Sequence, residues 1–372
     1  MYSLEPTVRV SLAGEQTITH TDLECEFVSR TNRPSADSAR SRVHRLECSV
    51  EWPPGHVAAY LIPGDEPILV DAGMAGEQGR DELFEGLRSH GVDPKAIDHL
   101  LLTHPHTDHA GQVQPLRERG NPTVHAPGQT RDRFERDLET VEMATRRNLH
   151  EAGVDERYIP NSLERLLDAH RSHRDCLPLE AVDNWIEDET PVTIGDRTFD
   201  PIYTPGHHAP HYCYATTLGE ERVVFAGDMA IEPFRAIALH VNFDDGVRDG
   251  ISAYLEALER LERHSFDRVY PGHGPVHDRF DAVVDRSITD LETQLEACLE
   301  VLEQADDALT ATDVALEQTD SVRERARKMP EIVGSLATLE REGRVRSSLE
   351  EGVRYHEREY EHDEYEDEHE HV

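Results

Sequence analysis

Lysine is almost missing from this chain: Lys95 and Lys328 are the only two in 372 residues, so nearly all positive charge is arginine. Asp and Glu number 76 against 38 Lys+Arg, a formal net charge of −38. Acidity spread along the whole length, with lysine this scarce, points to a cytoplasm holding molar salt. There the Debye length falls to about 3 Å and self-repulsion is screened. Intrinsic disorder is the competing reading of such acidity, and apolar strands with complete motifs through most of the length exclude it. A halophilic protein that loosens in dilute buffer is expected. Cysteine is sparse too. Cys25, Cys48, Cys176, Cys213 and Cys298 form no close pairs and no zinc-type spacing, which argues against a disulfide framework. Long hydrophobic runs are also missing, as is an amino-terminal cationic start followed by an apolar core. A cytoplasmic enzyme with no membrane partner is the expectation.

What the chain does have is a dense cluster of metal-ligand chemistry. Within Thr103–Gly111, three imidazoles and one carboxylate (His104, His106, Asp108, His109) fall in six consecutive positions. They follow Asp98–Leu102, an apolar run that reads as a buried strand entering a loop. Core packing asks for no such concentration of titratable groups, whereas a divalent metal does, since neutral imidazole and ionised carboxylate are its preferred ligands. His104 and His106 lie two apart and point the same way on extended backbone. Asp108 and His109 follow through a turn and can face a second position. One loop could supply two metals.

Three later strand-end turns add to the set. His207, His208 and His211 follow the Pro-Gly turn of Tyr203–Pro210, Asp228 ends the apolar strand Val223–Gly227, and His273 sits between glycines in Tyr270–Gly274. Such turns converge on a cleft beyond a sheet edge. In this order HxHxDH, TPGH, GD and PGHG resemble the metallo-β-lactamase superfamily in its glyoxalase II-like hydrolase branch, over roughly residues 43 to 277. Ile68–Gly73 resembles that family's first motif, a strand carrying an aspartate, Asp71, behind the ligands.

The resemblance implies an α/β fold, a four-layer αβ/βα sandwich with two mixed sheets and the metals at one rim. It also implies a first divalent ion held by His104, His106 and His207. A second would be held by Asp108, His109 and His273, with Asp228 bridging the two. Branches with one metal or none usually lack one of these aspartates, and this chain keeps both. Zn²⁺ is the first candidate, with Mn²⁺ and Fe²⁺ tolerated by the same ligands. Two such ions hold a bridging hydroxide at neutral pH and polarise a carbonyl or phosphoryl oxygen. Asp108, His211 and Asp71 are the candidate catalytic residues. Asp108 would act as a ligand, His211 as a proton donor to the leaving group or a structural imidazole, and Asp71 by orienting the loop. His208 is expected to point away, Tyr212 and Tyr214 to pack in the core, and His240 to be a neighbour of the cleft rather than a ligand.

Residues 1–42 form an amino-terminal extension with Ser/Thr/Arg/Asp-rich stretches. Within the catalytic domain, 43–277, a helical insert is expected at 129–188. Phe134, Leu138, Val141 and Thr145 share one helical face there, and Leu163, Leu166 and Leu167 mark another helix. Over a metal cleft, such an insert would select substrate or form a homodimer contact, or serve as helical padding. From 278 to 358 the character turns helical. Leu291, Leu295, Cys298, Leu299 and Leu302 form a stripe, Thr310 and Asp313 mark a capped helix start, and Ile332, Val333, Leu336 and Leu339 form a second stripe. Leu336–Arg346, with a strand at Gly352–Tyr355, is similar to the end of the winged-helix-like domain of lactamase-β-2-like members, which are endoribonucleases. Between Arg323 and Arg346 seven cationic residues stand against four acidic ones, an island that could contact phosphates or pair with nearby acids. An acidic tail, 359–372, closes the chain.

Two function classes follow. The favoured one is a small-molecule hydrolase acting on a thioester or ester. The alternative is a metal-dependent endoribonuclease of the lactamase-β-2-like type. A true glyoxalase II is disfavoured, because the C-terminal region lacks that family's lysine-bearing glutathione-binding pattern.

Overall fold

Alternation of apolar side chains along short strands builds two facing sheets. The first holds β1 (His44–Ser49), β2 (His56–Ile62), β3 (Ile68–Val70), β4 (His99–Leu101), β5 (Thr123–Pro127) and β6 (Asn184–Ile186), in that spatial order. β1 to β3 pair antiparallel, and β3 to β6 run parallel. The second sheet has the order β11-β10-β9-β8-β7, from β7 (Val192–Ile194), β8 (Arg197–Tyr203), β9 (Tyr212–Leu218), β10 (Glu221–Gly227) and β11 (Arg268–Pro271). Its pairs are antiparallel except β10 with β11. The computed structural model describes residues 43–187 and 189–359, so the expected extension at 1–42 and the tail from Glu361 lie outside the described residues.

Parallel neighbours need crossovers, and helices supply them. α1 (Gly76–Ser89) links β3 to β4, and α2 (Val113–Gly120) links β4 to β5. Their apolar faces (Leu83, Phe84, Leu87, Val113, Leu116) pack on Val57, Leu61, Leu69 and Leu100 from one side of the first sheet. The other side, with Ala58, Tyr60, Ile62, Val70 and Leu101, meets Phe199, Tyr212, Tyr214, Val223 and Phe225 of the second sheet. Between these tyrosines, Cys213 and Ala215 point the opposite way, as strand alternation demands, onto the outer helix layer. Helix, sheet, sheet and helix make the four layers.

The insert between β5 and β6 is α3 (Gln129–Phe134), α4 (Leu138–Glu151) and α5 (Ile159–Cys176). It departs from expectation at two points. Phe134 does not share a helix with Leu138: Asp137 accepts the backbone N–H groups of Glu139 and Thr140 as an N-cap, which starts α4 afresh. Phe134 packs instead with the first sheet's helix layer, whereas Val141 joins the opposite core. The insert also stops short of 188, because Asn184–Ile186 pairs parallel with β5 as the edge strand.

α6 (Gly250–Leu261) covers the outer face of the second sheet. Beyond it come α7 (Phe280–Gln304), β12 (Leu309–Thr310), α8 (Ala311–Glu317), α9 (Val322–Arg341), β13 (Val345–Glu350) and β14 (Val353–Arg358). The last three strands form a small antiparallel sheet ordered β12-β14-β13. Thr310 and Asp313 bond reciprocally in a capping box at the start of α8. Leu291, Leu295, Leu336 and Leu339 share one continuous core with Ile202, Ile251 and Leu258, and the described residues form one compact unit. The C-terminal helices are therefore built into the outer layer. No helix among the described residues is long and apolar enough to cross a membrane.

Two buried histidines outside the candidate ligand set make stability pH-dependent. Burial pushes His125 and His356 down to about 4. An unfolded chain holds those protons up to about pH 6.5, so between 6.5 and 4 it binds more of them than the folded one. The stability from keeping them neutral is complete above pH 6.5 and declines as pH falls. A loss of about 1 kcal/mol per residue is expected at pH 5.5. Urea midpoints at pH 7.5 and 5.5, at fixed salt, should show the drop, and a His356→Gln variant should show a smaller one.

Candidate metal centre

Each candidate ligand follows the carboxyl end of a strand on one rim. Asp71 follows β3, the 103–109 loop follows β4, His207 follows β8, Asp228 follows β10 and His273 follows β11. β3 and β4 are parallel, and β8, β10 and β11 share one direction, so these ends open on the same edge. The glycines of the motifs let the loops close in. A Cβ on Gly272 would stand 2.5 Å from the His109 ring and 2.7 Å from an Asp228 carboxylate oxygen. Gly206, at φ +131°, lies against Tyr254 of α6, where a Cβ would come within 2.5 Å.

The structure brings all seven side chains together in three overlapping groups: His104 with His106 and His207, His104 with His109 and Asp228, and Asp108 with His109 and His273. In each, the ligand atoms lie within 4.8 Å of one another. His106 Nδ1 is 3.0 Å from His104 Nε2 and 3.1 Å from His207 Nε2. Asp228 lies between the halves. Its Oδ2 is 3.1 Å from His207 Nε2 and its Oδ1 is 3.2 Å from His109 Nε2. His273 Nε2 is 3.3 Å from Asp108 Oδ2.

The far side of each ring explains why these atoms face inward. His109 Nδ1 donates to Asp71 Oδ2 at 2.8 Å, His207 Nδ1 to the Ile237 carbonyl at 2.8 Å, and His273 Nδ1 to the His56 carbonyl at 2.7 Å. His104 Nδ1 lies 3.0 Å from Thr103 Oγ1, which itself donates to Asp71 at 2.9 Å. In their neutral forms these rings carry the proton on Nδ1 and aim a bare Nε2 lone pair into the cluster. His106 Nδ1 can donate to only one of the two lone pairs it faces. Among the described residues, His109 Nε2 and Asp228 Oδ1 are buried with no well-aligned hydrogen-bond partner. Imidazole nitrogens and carboxylate oxygens crowded this closely are what a divalent ion relieves, and the contacts near 3 Å approach the roughly 3.4 Å edge of a tetrahedron with 2.0–2.1 Å bonds. The residues fit the metals.

Charge is sorted across the site. Burial, with the neighbouring imidazoles of His109 and His207 respectively, holds His104 and His106 well below the usual histidine range. Burial also opposes charge on His109, yet Asp228, Asp108 and Asp71 outweigh it and hold that ring well above. Asp228 is likewise resisted by burial but is held well below the carboxylate range by His273, His109 and His207. Ionised carboxylates on one flank and neutral imidazoles on the other suit cations.

His211 has a different place from that of a proton donor. Its Nε2 accepts the Asp228 backbone N–H at 3.1 Å, and its Nδ1 bonds Thr204 Oγ1 at 2.8 Å. It is fully buried, and burial first, then His207, pushes it down to about 3. With both nitrogens engaged and the ring neutral, it has no proton to give a leaving group. It holds the backbone beneath Asp228. Asp71 sits behind the ligands, touching Thr103 and His109 rather than the cleft. His208 does not point away: it is buried, 4.5 Å ring to ring from His106. His240 stays a neighbour, its N–H bonded to the Gly206 and His207 carbonyls. Tyr212 and Tyr214 are buried between the sheets.

Residues missed from sequence line the approach. His173 of α5 packs 5.0 Å from the His106 ring, so the insert closes over the metal cluster. Arg133 and Arg136 converge on the buried Asp244, beside His170. His170 and His173, three apart on one helix, carried a periodic signal that could have flagged this face.

Comparisons with known proteins agree with this arrangement. The family model described as the metallo-beta-lactamase superfamily matches residues 52–273. A Beta-lactamase-like protein 2 homolog from Caenorhabditis elegans is 25% identical over 259 residues, 68% of each chain. Lactamase-like protein vrtG of Penicillium aethiopicum is 24% identical over 244 residues, and the match spans 65% of this chain and 59% of that one. An atrochrysone carboxyl ACP thioesterase from Aspergillus fumigatus is 24% identical over 231 residues, 62% of this chain and 54% of the relative. Among solved structures, a metallo-beta-lactamase family protein from Thermus thermophilus shares the fold at a TM-score of 0.63 and 22% identity, covering 85% of this chain and 98% of its own. With the ligand motifs, the two-sheet sandwich and a match over more than half its length in agreement, this chain belongs to the metallo-beta-lactamase superfamily.

Proposed function

We propose that this hydrolase uses two divalent ions, Zn²⁺ first among the candidates, to cleave a small-molecule thioester or ester. The observation that carries the reading is the convergence of His104, His106, His207, Asp228, Asp108, His109 and His273, two of whose buried atoms, His109 Nε2 and Asp228 Oδ1, have no well-aligned hydrogen-bond partner among the described residues. Divalent ions held by these residues would lower the pKa of water toward about 7 and polarise a carbonyl oxygen. The chain's own residues do the rest. Asp71 fixes the tautomers of His109 directly and of His104 through Thr103, so both rings keep their lone pairs on the cleft. Asp228, seated by His211 beneath its backbone, reaches both groups of ligands. The insert, through His173, narrows the space above His106, which suits a small substrate better than a strand laid across the rim. The thioesterase name of the Aspergillus relative supports the same reaction class.

One observation keeps a second reading alive. In the 323–346 island, Arg341, Arg344 and Arg346 are paired with acids, but Arg323, Arg325, Arg327 and Lys328 on the first half of α9 have no ion pair among the described residues. The order helix, strand, helix, helix, strand, strand from α7 to β14 supports a winged-helix-like unit presenting them. That would suit an endoribonuclease gripping phosphates. A paired turnover assay in molar KCl separates the readings. Metal-loaded protein is offered acyl thioesters and esters in one arm and labelled single-stranded RNA in the other. Thioester or ester turnover alone is expected. RNA cleavage without it would reverse the order.

A further inference from the structure

Helix α9 lies in the C-terminal part of the chain, yet one of its side chains reaches the loop that aims a metal ligand. Glu331 is buried, 5% exposed, on the face of α9 turned toward the second sheet. Its Oε1 accepts the backbone N–H of Ala238 at 2.7 Å and the Nη1 of Arg235 at 2.8 Å. Arg235 Nη1 also donates to the Ala236 carbonyl at 2.7 Å, so one carboxylate oxygen ties together both ends of the segment 235–238. Between them lies Ile237, whose carbonyl accepts the Nδ1–H of His207 at 2.8 Å. That bond turns His207 Nε2 toward His106 and Asp228.

The path has few steps. A carbonyl oxygen is aimed by its own peptide plane, and that plane's nitrogen belongs to the next residue. The Ile237 carbonyl and the Ala238 N–H are therefore opposite edges of one rigid peptide unit. Glu331 holds one edge and His207 is held by the other. Any rotation of that peptide loosens both bonds together. Burying an ionised carboxylate is costly unless it is paired and hydrogen-bonded. Here the paired groups are the Arg235 guanidinium, whose carbon lies 5.4 Å from the centroid of the Tyr254 ring, and the peptide itself. Tyr254 packs in turn against Gly206, next to His207.

We propose that Glu331 is a positioning residue for the first metal group, making the C-terminal helix part of the metal centre. The inference rests on the two-ion reading of the site. It does not depend on the substrate. Partners that orient a ligating histidine typically contribute tenfold to a hundredfold in metal affinity.

The test is a calorimetric titration of metal-free, full-length protein with zinc chloride in molar KCl. The set comprises wild type, Glu331→Ala, Glu331→Gln and Glu340→Ala. Glu340 lies on the same helix and is bonded to Arg248 and Ser347, away from the 235–238 segment, so it controls for general loosening of α9. Glu331→Ala is expected to weaken one of two zinc sites by about tenfold to a hundredfold and leave the other within about twofold. Glu331→Gln keeps an acceptor for Ala238 and should fall between that variant and wild type. Glu340→Ala should bind both ions like wild type. The proposal is overturned if Glu331→Ala keeps both affinities, or if it and Glu340→Ala weaken both sites alike. Should Glu331→Ala not fold, wild-type affinity in Glu331→Gln at both sites overturns it as well. Because the readout is metal binding, a protein that turns over no thioester could still show the effect, and an active thioesterase could still lack it.

Discussion

An Asp228→Asn enzyme is expected to lose at least about a thousandfold in kcat/KM, about 4 kcal/mol of barrier, while keeping its fold. The side chain lies within reach of ligands on both sides, 3.1 Å from His207 on one and 3.2 Å from His109 on the other. An amide of the same shape retains one oxygen acceptor and replaces the other ligand oxygen with an N–H₂ donor that cannot bind a cation. It also removes a negative charge that sets the protonation of His109 and His273. A His211→Gln variant should fall much less, since His211 supports Asp228 through a backbone N–H and not through the reacting atoms. Steady-state rates with circular dichroism on both variants check this. Equal losses in the two would mean that His211 does more than hold the backbone.

The second large effect is on stability in dilute buffer. At a net charge of −38, moving from molar KCl to about 0.1 M lengthens the Debye length from about 3 to about 10 Å and exposes like charges to one another. The surface shows where. Glu259, Glu262, Glu292, Glu296 and Glu342 line one groove with Arg344, and α7 adds Glu300 and Glu303 along its length. Many arginines are already committed to single acids, as in Arg344 with Glu296 and Arg358 with Glu303, and exposed pairs of this kind contribute little. A drop in Tm on the order of 10 °C is expected from 2 M to 0.1 M KCl, corresponding to roughly 8 kcal/mol for a chain of this size. Thermal melts across a KCl series measure it directly. A flat series would remove the proposal that this protein works in a salt-filled cytoplasm.

The candidate metal cluster was legible in the sequence because each candidate ligand stands at a strand end marked by Gly, Pro or a local cluster. HxHxDH, TPGH, GD and PGHG are short-range patterns, and short-range patterns survive without coordinates. The sandwich was expected from the family resemblance that those motifs carry. What was not legible depends on contacts between distant segments. His211 read equally as a proton donor or as a structural imidazole, and its bonds to the Asp228 N–H and to Thr204, after other strands, favour the second. The helical face expected through Phe134 and Leu138 is broken by Asp137, whose side chain caps the start of α4. Asn184–Ile186 is too short to show a strand period and joins a sheet only because β5 offers it an edge. Glu331 carries no motif at all. Its meaning comes from Ala238 and Arg235, about a hundred residues earlier in the chain.

The central claim is that the chain holds two ions, and counting bound metal tests it most directly. Metal-free protein is dialysed to equilibrium against micromolar Zn²⁺ in molar KCl, and metal per chain is determined by elemental analysis, for wild type and for His207→Ala and His273→Ala. The account predicts two ions in wild type and one in each variant, since His207 and His273 belong to different ligand groups. One ion or none in wild type, or a variant that loses neither, would contradict it.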